Sequence, residues 1–162
     1  MENGRKMAEK TYDLEERLLN YAVQIVRLVE KLPNTRAGNH IAGQLLRSGT
    51  SPLPNHGEAE GAESRNDFIH KLGICHKELR ESYRWLKLIQ RVPLLPPTDT
   101  ALLETSLRET DELLRIFISS SRTARANACR EETPEYEAER RTQNVERRTL
   151  NAERKTLRRS EF

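Results

Sequence analysis

Five basic residues recur at intervals of three and four along one predicted helix, and this spacing places them on a single face: Lys77, Arg80, Arg84, Lys87 and Arg91. We call this set the basic stripe. Each member lies two residues from a predicted core position such as Leu79 or Leu86, about 200° around a helix, and so faces away from the core. His70 falls on the same line. Cationic side chains repeated along an exposed face are expected of a surface that binds phosphate groups.

Basic residues outnumber acidic ones in the segment that carries the stripe, and the reverse holds in the helical segment that follows it. The segment 64–91 carries seven basic and three acidic residues, whereas 98–123 carries three basic and five acidic residues. This asymmetry favours an anionic partner such as RNA or DNA. The alternative is a solvated face compensated by its own acidic neighbours, for instance Lys77 paired with Glu81 four residues later.

Two aromatic residues, Tyr83 and Trp85, flank the basic stripe. Aromatic rings beside basic residues can stack on nucleobases, whereas at a subunit interface they would act as buried anchors. The sequence leaves both roles open and favours the interface.

No arrangement typical of catalysis or metal binding accompanies these residues. His56, Glu58 and Glu60 are spaced by two, which puts them on different faces of a helix, and no HExxH or ExxH pair occurs. The nearby glycines are spread out, without the strand or the GK[ST] of a phosphate-binding loop. Ser48 and Ser51 lack a nucleophile elbow. We therefore expect no enzyme activity, no metal and no cofactor.

Length and composition narrow the class of protein. A chain of 162 residues, one third charged and 5% aromatic, has the makeup of one helical domain. Cys75 and Cys129 form no CxxC pair, so neither a zinc site nor a disulfide framework is indicated. Residues 1–13 contain no apolar run, and no stretch approaches 18 apolar residues. These observations predict a cytoplasmic protein without a membrane span.

Helical periodicity runs through the first three quarters of the chain. The first predicted helix begins at Asp13, which has capping-box spacing with Glu16, and ends before Pro33. The second begins near Arg36, and Gly43 within it predicts the close approach of a neighbouring helix. Its predicted inward face consists of Ala37, Ile41, Leu45 and Ser48.

The third predicted helix begins after Ser64 and buries residues in alternating steps of four and three, which is the seam of a bundle helix. After RVPLLPP a fourth helix begins near Thr98 or Thr100, buries Leu114 among others, and frays at Ser121. No segment alternates as a strand would. We therefore predict an all-α, up-and-down antiparallel four-helix bundle over residues 12–123, preceded by a flexible segment at 1–11.

The stretch RSGTSPLPNHGEAEGAESRNDFIHK, residues 47–71, interrupts this pattern with two prolines and three glycines. Pro52 and Pro54 remove two backbone donors and are expected to kink the second helix, which resumes near Asn55 and ends around Gly61.

Residues 124–162 form a charged, low-complexity tail with few large apolar side chains. It contains a seven-residue repeat, ERRTQNV, ERRTLNA and ERKTLRR, whose apolar positions make a poor coiled-coil seam. An exposed helix or a disordered extension is expected. Its last 24 residues, 139–162, carry eight Lys or Arg and four Glu, so the tail either adds affinity for an anionic partner or has no role.

Several short motifs between Gly43 and Ile89 occur together in a known family. They are LLRSGTS, the pattern N-x-x-E-A from Asn55 to Ala59, Ser64-Arg65 followed by DFIHK, and KELRE. Together they resemble the four-helix bundle proteins of bacteria, many of which are encoded within intervening sequences of large-subunit ribosomal RNA genes. The resemblance covers about residues 12–122 and leaves out the repetitive tail.

This resemblance implies an up-and-down bundle that often assembles into a pentameric ring. The chain is also similar to the accessory variability determinant of diversity-generating retroelements, a ring that binds nucleic acid and a partner reverse transcriptase. Asn55 and Glu58 belong to a family motif without an assigned role, for which a buried contact that holds the kink is favoured over a binding site.

Two function classes follow. The first is a non-catalytic, homo-oligomeric accessory protein that binds RNA or DNA through the basic stripe. The second is a structural or protein-interaction bundle without a nucleic-acid role, whose stripe meets an acidic surface such as the fourth helix of a neighbouring subunit.

Overall fold

The computed structural model describes residues 13–131, 138, 141–143 and 147. The helices are α1 (Leu14–Val29), α2 (Arg36–Thr50), α3 (Pro52–Glu60), α4 (Arg65–Arg91) and α5 (Thr100–Glu131), with a 3-10 turn at Pro97–Asp99. The chain divides into two compact units, Met1–Ser121 and Arg122–Phe162. In the second unit the described part is the end of α5 and the separate residues given above.

The first unit is an antiparallel helical bundle, as the periodicity predicts. Helices α2 and α3 together form its second helix, whose axis bends by 18° over residues 36–60. Both α1 and α4 pack against this bent helix. Helix α5 closes the bundle against α1, since the hydroxyl groups of Tyr21 and Thr110 lie 3.0 Å apart. The predicted all-α bundle with a kinked second helix is therefore confirmed.

The helix starts follow the capping chemistry of the sequence. The Asp13 carboxylate accepts a hydrogen bond from the backbone N–H of Glu16 at 3.0 Å. The Thr35 hydroxyl accepts one from Gly38, and the Ser64 hydroxyl accepts one from Asp67, both at 3.1 Å. Each cap satisfies a backbone donor that the first turn of a helix leaves without a partner.

The core is formed by the apolar seams of the bundle helices, with three departures from the prediction. In α2, Ala37 is exposed and Gly38 is buried, because the first turn folds back against Pro33. In α5, Leu113 is fully buried in place of Leu114. Helix α5 also continues to Glu131 instead of fraying at Ser121, because the residues that follow are rich in the strong helix formers Ala and Arg.

The prediction that a neighbouring helix comes close at Gly43 was wrong. The glycine at such a contact is Gly49. Gly43 is exposed, and a Cβ atom built on it would meet nothing within 4 Å. A Cβ atom on Gly49 would lie 2.8 Å from Cγ2 of Ile25 in α1. The absence of a side chain at Gly49 therefore lets α1 and α2 approach each other.

Candidate nucleic-acid interface

The basic stripe lies on the face of α4 that points away from the core. Ser64 fixes the start of this helix, and its inward positions from Leu72 to Ile89 are buried in the bundle. The remaining face is left to solvent: Lys77, Arg80, Arg84 and Arg91 are exposed, and Lys87 is half-buried. His70, on the same side, is exposed as well.

None of the five members of the stripe has an ion-pair partner among the described residues. The carboxylate expected to compensate Lys77 is used elsewhere. Glu81 accepts a hydrogen bond from Nη2 of Arg47 in α2 at 2.5 Å, and the indole N–H of Trp85 points at the same oxygen at 3.4 Å. The pairing of Lys77 with Glu81 that the sequence left open is therefore not formed, because Glu81 binds Arg47 instead.

The pKa of a neighbouring histidine, His76, is lowered beside the basic stripe. Partial burial lowers the pKa of His76, and the positive charge of Arg80 lowers it further. The imidazole of His76 is therefore more readily neutral than an exposed one and adds little charge to the face at pH 7.

Lys87 and Tyr83 lie on the flank of α4 that faces α5. The ammonium group of Lys87 is 5.7 Å from the centre of the Tyr83 ring and donates to the side-chain oxygen of Gln90 at 3.2 Å. Both side chains line an open groove that α5 completes with Glu104 and Leu107, among others. Lys87 thus differs from the rest of the stripe, because it already has partners at the edge of a groove.

Trp85 lies on the opposite flank of α4, towards α2. Its ring packs edge-on against His40 with the ring centres 6.0 Å apart, and its N–H is directed at Glu81. The two aromatic residues that the sequence grouped together therefore have different neighbours. Only Tyr83 borders the α4–α5 groove.

The family motif lies where the second helix bends. The Asn55 amide donates to the backbone oxygen of Ser51 at 2.9 Å and to its hydroxyl at 3.1 Å. Glu58 is exposed and forms a 2.5 Å ion pair with Lys71 of α4. Asn55 thus contacts the bend itself, and Glu58 links α3 to α4.

The described part of the chain contains neither a metal site nor a membrane span. No group of three or more His, Cys, Asp or Glu residues there could hold a metal ion. His56 is buried instead, edge-on to Phe117 with ring centres 6.1 Å apart. No described helix is both long enough and apolar enough to cross a membrane.

Residues of α5 that border the groove were missed by the sequence analysis: Glu104, Leu107, Arg108 and Asp111. A signal for them was available in the short connection RVPLLPP, because helices joined by a short loop pack as antiparallel neighbours. Positions equally far from that loop on α4 and α5 must then face each other. The exact register depends on the packing and cannot be counted from the sequence.

Comparison with known proteins agrees with this architecture. Residues 10–116 match the model of a family described as 23S rRNA-intervening sequence protein. A crystal structure of a protein of unknown function from the S23 ribosomal protein family of Bacteroides thetaiotaomicron is 36% identical, with a TM-score of 0.61, over 67% of this chain and 98% of that one. No curated protein matches the chain. Because the family model covers well over half of its length, the chain belongs to the 23S rRNA-intervening sequence protein family.

Proposed function

We propose that this protein is a non-catalytic accessory protein that binds RNA or DNA through the basic stripe and acts in the cytoplasm as a homo-oligomer. The observation that carries the proposal is the state of Lys77, Arg80, Arg84 and Arg91, which are exposed and have no ion-pair partner among the described residues. Cationic side chains left uncompensated along one face are available to phosphate oxygens.

The dimensions of the stripe suit a nucleic-acid backbone. From Lys77 to Arg91 the helix rises roughly 21 Å, at about 1.5 Å per residue. This length corresponds to about six base pairs of duplex at 3.4 Å per step. Three of the five members are arginines, whose planar guanidinium groups can contact a phosphate through two N–H donors.

The relatives guide the choice of nucleic acid and partner. The family description refers to an intervening sequence of 23S rRNA, which makes structured ribosomal RNA the first candidate ligand. The resemblance to the accessory variability determinant adds a reverse transcriptase as a candidate protein partner. Neither the family description nor the neighbouring crystal structure assigns a function.

Self-association is supported by an apolar strip on α1. Leu19, Val23 and Val26 are spaced by four and three on one helix face, and 38–45% of each residue's surface is exposed. Aliphatic side chains in such a row favour contact with another protein surface. The family resemblance implies a ring of five subunits. Light scattering of the full chain should then give about five times the 18.8 kDa subunit mass, and a monomer at micromolar concentration would exclude the oligomer.

The stripe is tested by a titration of structured RNA and duplex DNA across salt concentrations. Replacing Arg80, Arg84 and Lys87 with Gln should weaken binding to all sequences alike and flatten the plot of log affinity against log salt. The expected change is roughly one unit of slope for each phosphate interaction that the substitutions remove on duplex DNA. The fold should tolerate the variant, since surface changes usually shift stability by about 0.5 kcal/mol or less.

A matched control removes the same three charges elsewhere. Arg27, Lys31 and Arg36 are exposed on α1, on the loop after it and at the start of α2, and their replacement with Gln changes net charge equally. If both triple variants flatten the slope to the same extent, binding follows net charge and not the stripe. A stripe variant with the wild-type slope would show that the stripe is a solvated face.

The second candidate is a structural or protein-interaction bundle without a nucleic-acid role. The exposed row Leu19, Val23 and Val26 favours it, because this surface fits a protein partner and not a phosphate. Under this alternative the stripe meets an acidic protein surface. The stripe variant would then dissociate into monomers, whereas under the first candidate it stays assembled and loses only nucleic-acid affinity.

A further inference from the structure

The groove between α4 and α5 differs in chemistry from the basic stripe beside it. This open groove has a volume of about 490 Å³, within the range of roughly 300–1,000 Å³ found for small-molecule sites. An aromatic ring, an amide, two cations and two carboxylates surround one apolar side chain; the lining residues are Tyr83, Lys87, Gln90, Glu104, Leu107, Arg108 and Asp111. The exposed Arg84 lies next to Tyr83 in α4, just outside this set.

The polar side chains of the groove suit the edge of a base. Asp111 is paired with Arg115 at 2.6 Å. Glu104 is exposed and has no hydrogen-bond or ion-pair partner among the residues described. A free carboxylate accepts hydrogen bonds from exocyclic amino groups, as Glu and Asp do from N4 of cytosine. The side-chain amide of Gln90 can donate and accept at the same edge.

Tyr83 supplies a surface on which a base can stack. Its ring is half-buried, and the Lys87 ammonium lies over one face at 5.7 Å. The ammonium group covers that face and must move before a base can stack on it. Lysine is flexible and well hydrated, so a base can take its place over the ring, and the phosphate attached to that base offers the displaced ammonium a new partner.

We propose that the α4–α5 groove receives one unpaired nucleobase bearing an exocyclic amino group, from a strand whose phosphates lie along the basic stripe. The inference rests on the nucleic-acid binding proposed above and specifies its ligand. In a continuous duplex each base is stacked and paired, and its transfer to the groove requires unpairing. The protein should therefore prefer RNA with unpaired nucleotides, which is how sequence-specific RNA recognition commonly works.

The test uses the full chain and three RNAs of equal length: a hairpin with a loop of cytidines, the same hairpin with a loop of uridines, and a blunt duplex. The wild type should bind the cytidine loop most tightly. Tyr83→Leu should weaken binding to that loop by roughly 5- to 100-fold, as expected when one base stack is removed, and leave duplex binding unchanged. Tyr83→Phe, which keeps the ring, should retain the wild-type affinity.

Glu104→Gln tests the base-edge contact separately. It should reduce the preference for cytidine over uridine loops by roughly fivefold, because the amide of Gln can donate to O4 of uracil as well as accept from N4 of cytosine, whereas a carboxylate only accepts. Equal affinity of the wild type for all three RNAs would overturn the proposal. The proposal would also be wrong if Tyr83→Leu weakened loop and duplex binding equally, or if it weakened neither.

A mononucleotide titration separates failure of the groove from failure of the stripe. Cytidine 5′-monophosphate, followed by NMR, should shift the Tyr83 ring signals in the wild type and should not bind Tyr83→Leu. If these shifts occur while the stripe variant binds RNA with the wild-type salt slope, the groove is a base site and the stripe proposal fails. If the nucleotide leaves the Tyr83 signals unmoved, the groove inference is wrong, whatever the stripe does.

Discussion

The hydroxyl group of Tyr21 in α1 lies 3.0 Å from that of Thr110 in α5, in the interior of the bundle. The Ser48 and Ser82 hydroxyls of α2 and α4 are also 3.0 Å apart, and Ser82 is near enough to Tyr21 to lower its pKa. Each helix of the bundle thus contributes one hydroxyl to a buried polar layer. Because buried polar groups need partners, this layer penalises any other axial register of the helices.

The polar layer predicts a specific loss of stability at high pH. Burial raises the pKa of Tyr21 to about 12. The neighbouring hydroxyl groups of Thr110 and Ser82 lower this pKa, but by less than burial raises it. The tyrosine ionises near pH 10 in the unfolded chain, so its contribution is fully present below pH 10 and is lost as pH rises towards 12. The wild type should lose about 1 kcal/mol more than Tyr21→Phe between pH 10 and 11.

Denaturant unfolding of both proteins at several pH values measures this difference. Burial also raises the pKa of Cys75 to about 12, so both proteins should lose some stability at alkaline pH, and only the difference between them reports Tyr21. At neutral pH, Tyr21→Phe should cost about 1 kcal/mol for the missing hydrogen bond, since Thr110 keeps a 2.6 Å bond to the Ser106 carbonyl. Parallel pH profiles for the two proteins would contradict the prediction.

Two glycines of α2 should respond in opposite directions to the same substitution. Gly43→Ala adds a methyl group in open space and should stabilise the bundle by about 0.5–1 kcal/mol through helix propensity. Gly49→Ala puts a methyl group 2.8 Å from Cγ2 of Ile25 and should destabilise by about 1–3 kcal/mol through overpacking. Thermal melting of the two variants provides the comparison, and an equal effect of both would show that α1 and α2 are not in close contact at Gly49.

Periodicity and capping were sufficient to predict the elements and most of the buried positions. Asp13 and Ser64 cap the helices as expected, and the spacing placed Ser48 on the inward face of the second helix, where it is buried. The pattern does not say which polar groups meet, because this depends on the axial offset between helices. The Glu81 contact with Arg47 in place of Lys77 is an example, since a helix-local rule cannot weigh a partner on another helix.

The same limit applies to the candidate site. Exposure of the basic stripe follows from its angle to the seam, and four of its members are exposed as that angle predicts. The difference between Tyr83 and Trp85 does not follow from sequence alone. Both lie beside the stripe, but one faces α5 and the other α2, so their surroundings depend on which helices are neighbours.

Replacing Asn55 should affect the bend of the second helix and not the binding surface. Asn55→Ala removes the bonds to Ser51, just before prolines that lack backbone donors. We expect a loss of about 0.5–1.5 kcal/mol in unfolding free energy and unchanged RNA affinity. Asn39→Ala is the control, because Asn39 is an exposed helical asparagine bonded to Asn34, and it should be nearly neutral. Weaker RNA binding by Asn55→Ala with intact stability would instead place the motif in a ligand site.

Deletion of residues 124–162 should leave the bundle stable. The buried apolar core extends from Leu18 to Phe117, and no residue described beyond Phe117 is buried. The melting temperature should therefore change by only about 2–4 °C, which corresponds to a surface effect of about 0.5 kcal/mol.

The same deletion decides between the two roles left open for the tail. If the eight basic residues among 139–162 contact phosphates, the truncated protein should bind RNA with a shallower salt dependence than the full chain. If the tail has no role in binding, the two slopes should be equal, and the stripe variant should lower both in the same way. A fall of many degrees in melting temperature would contradict the prediction of an unpacked tail and move the boundary of the folded domain beyond residue 123.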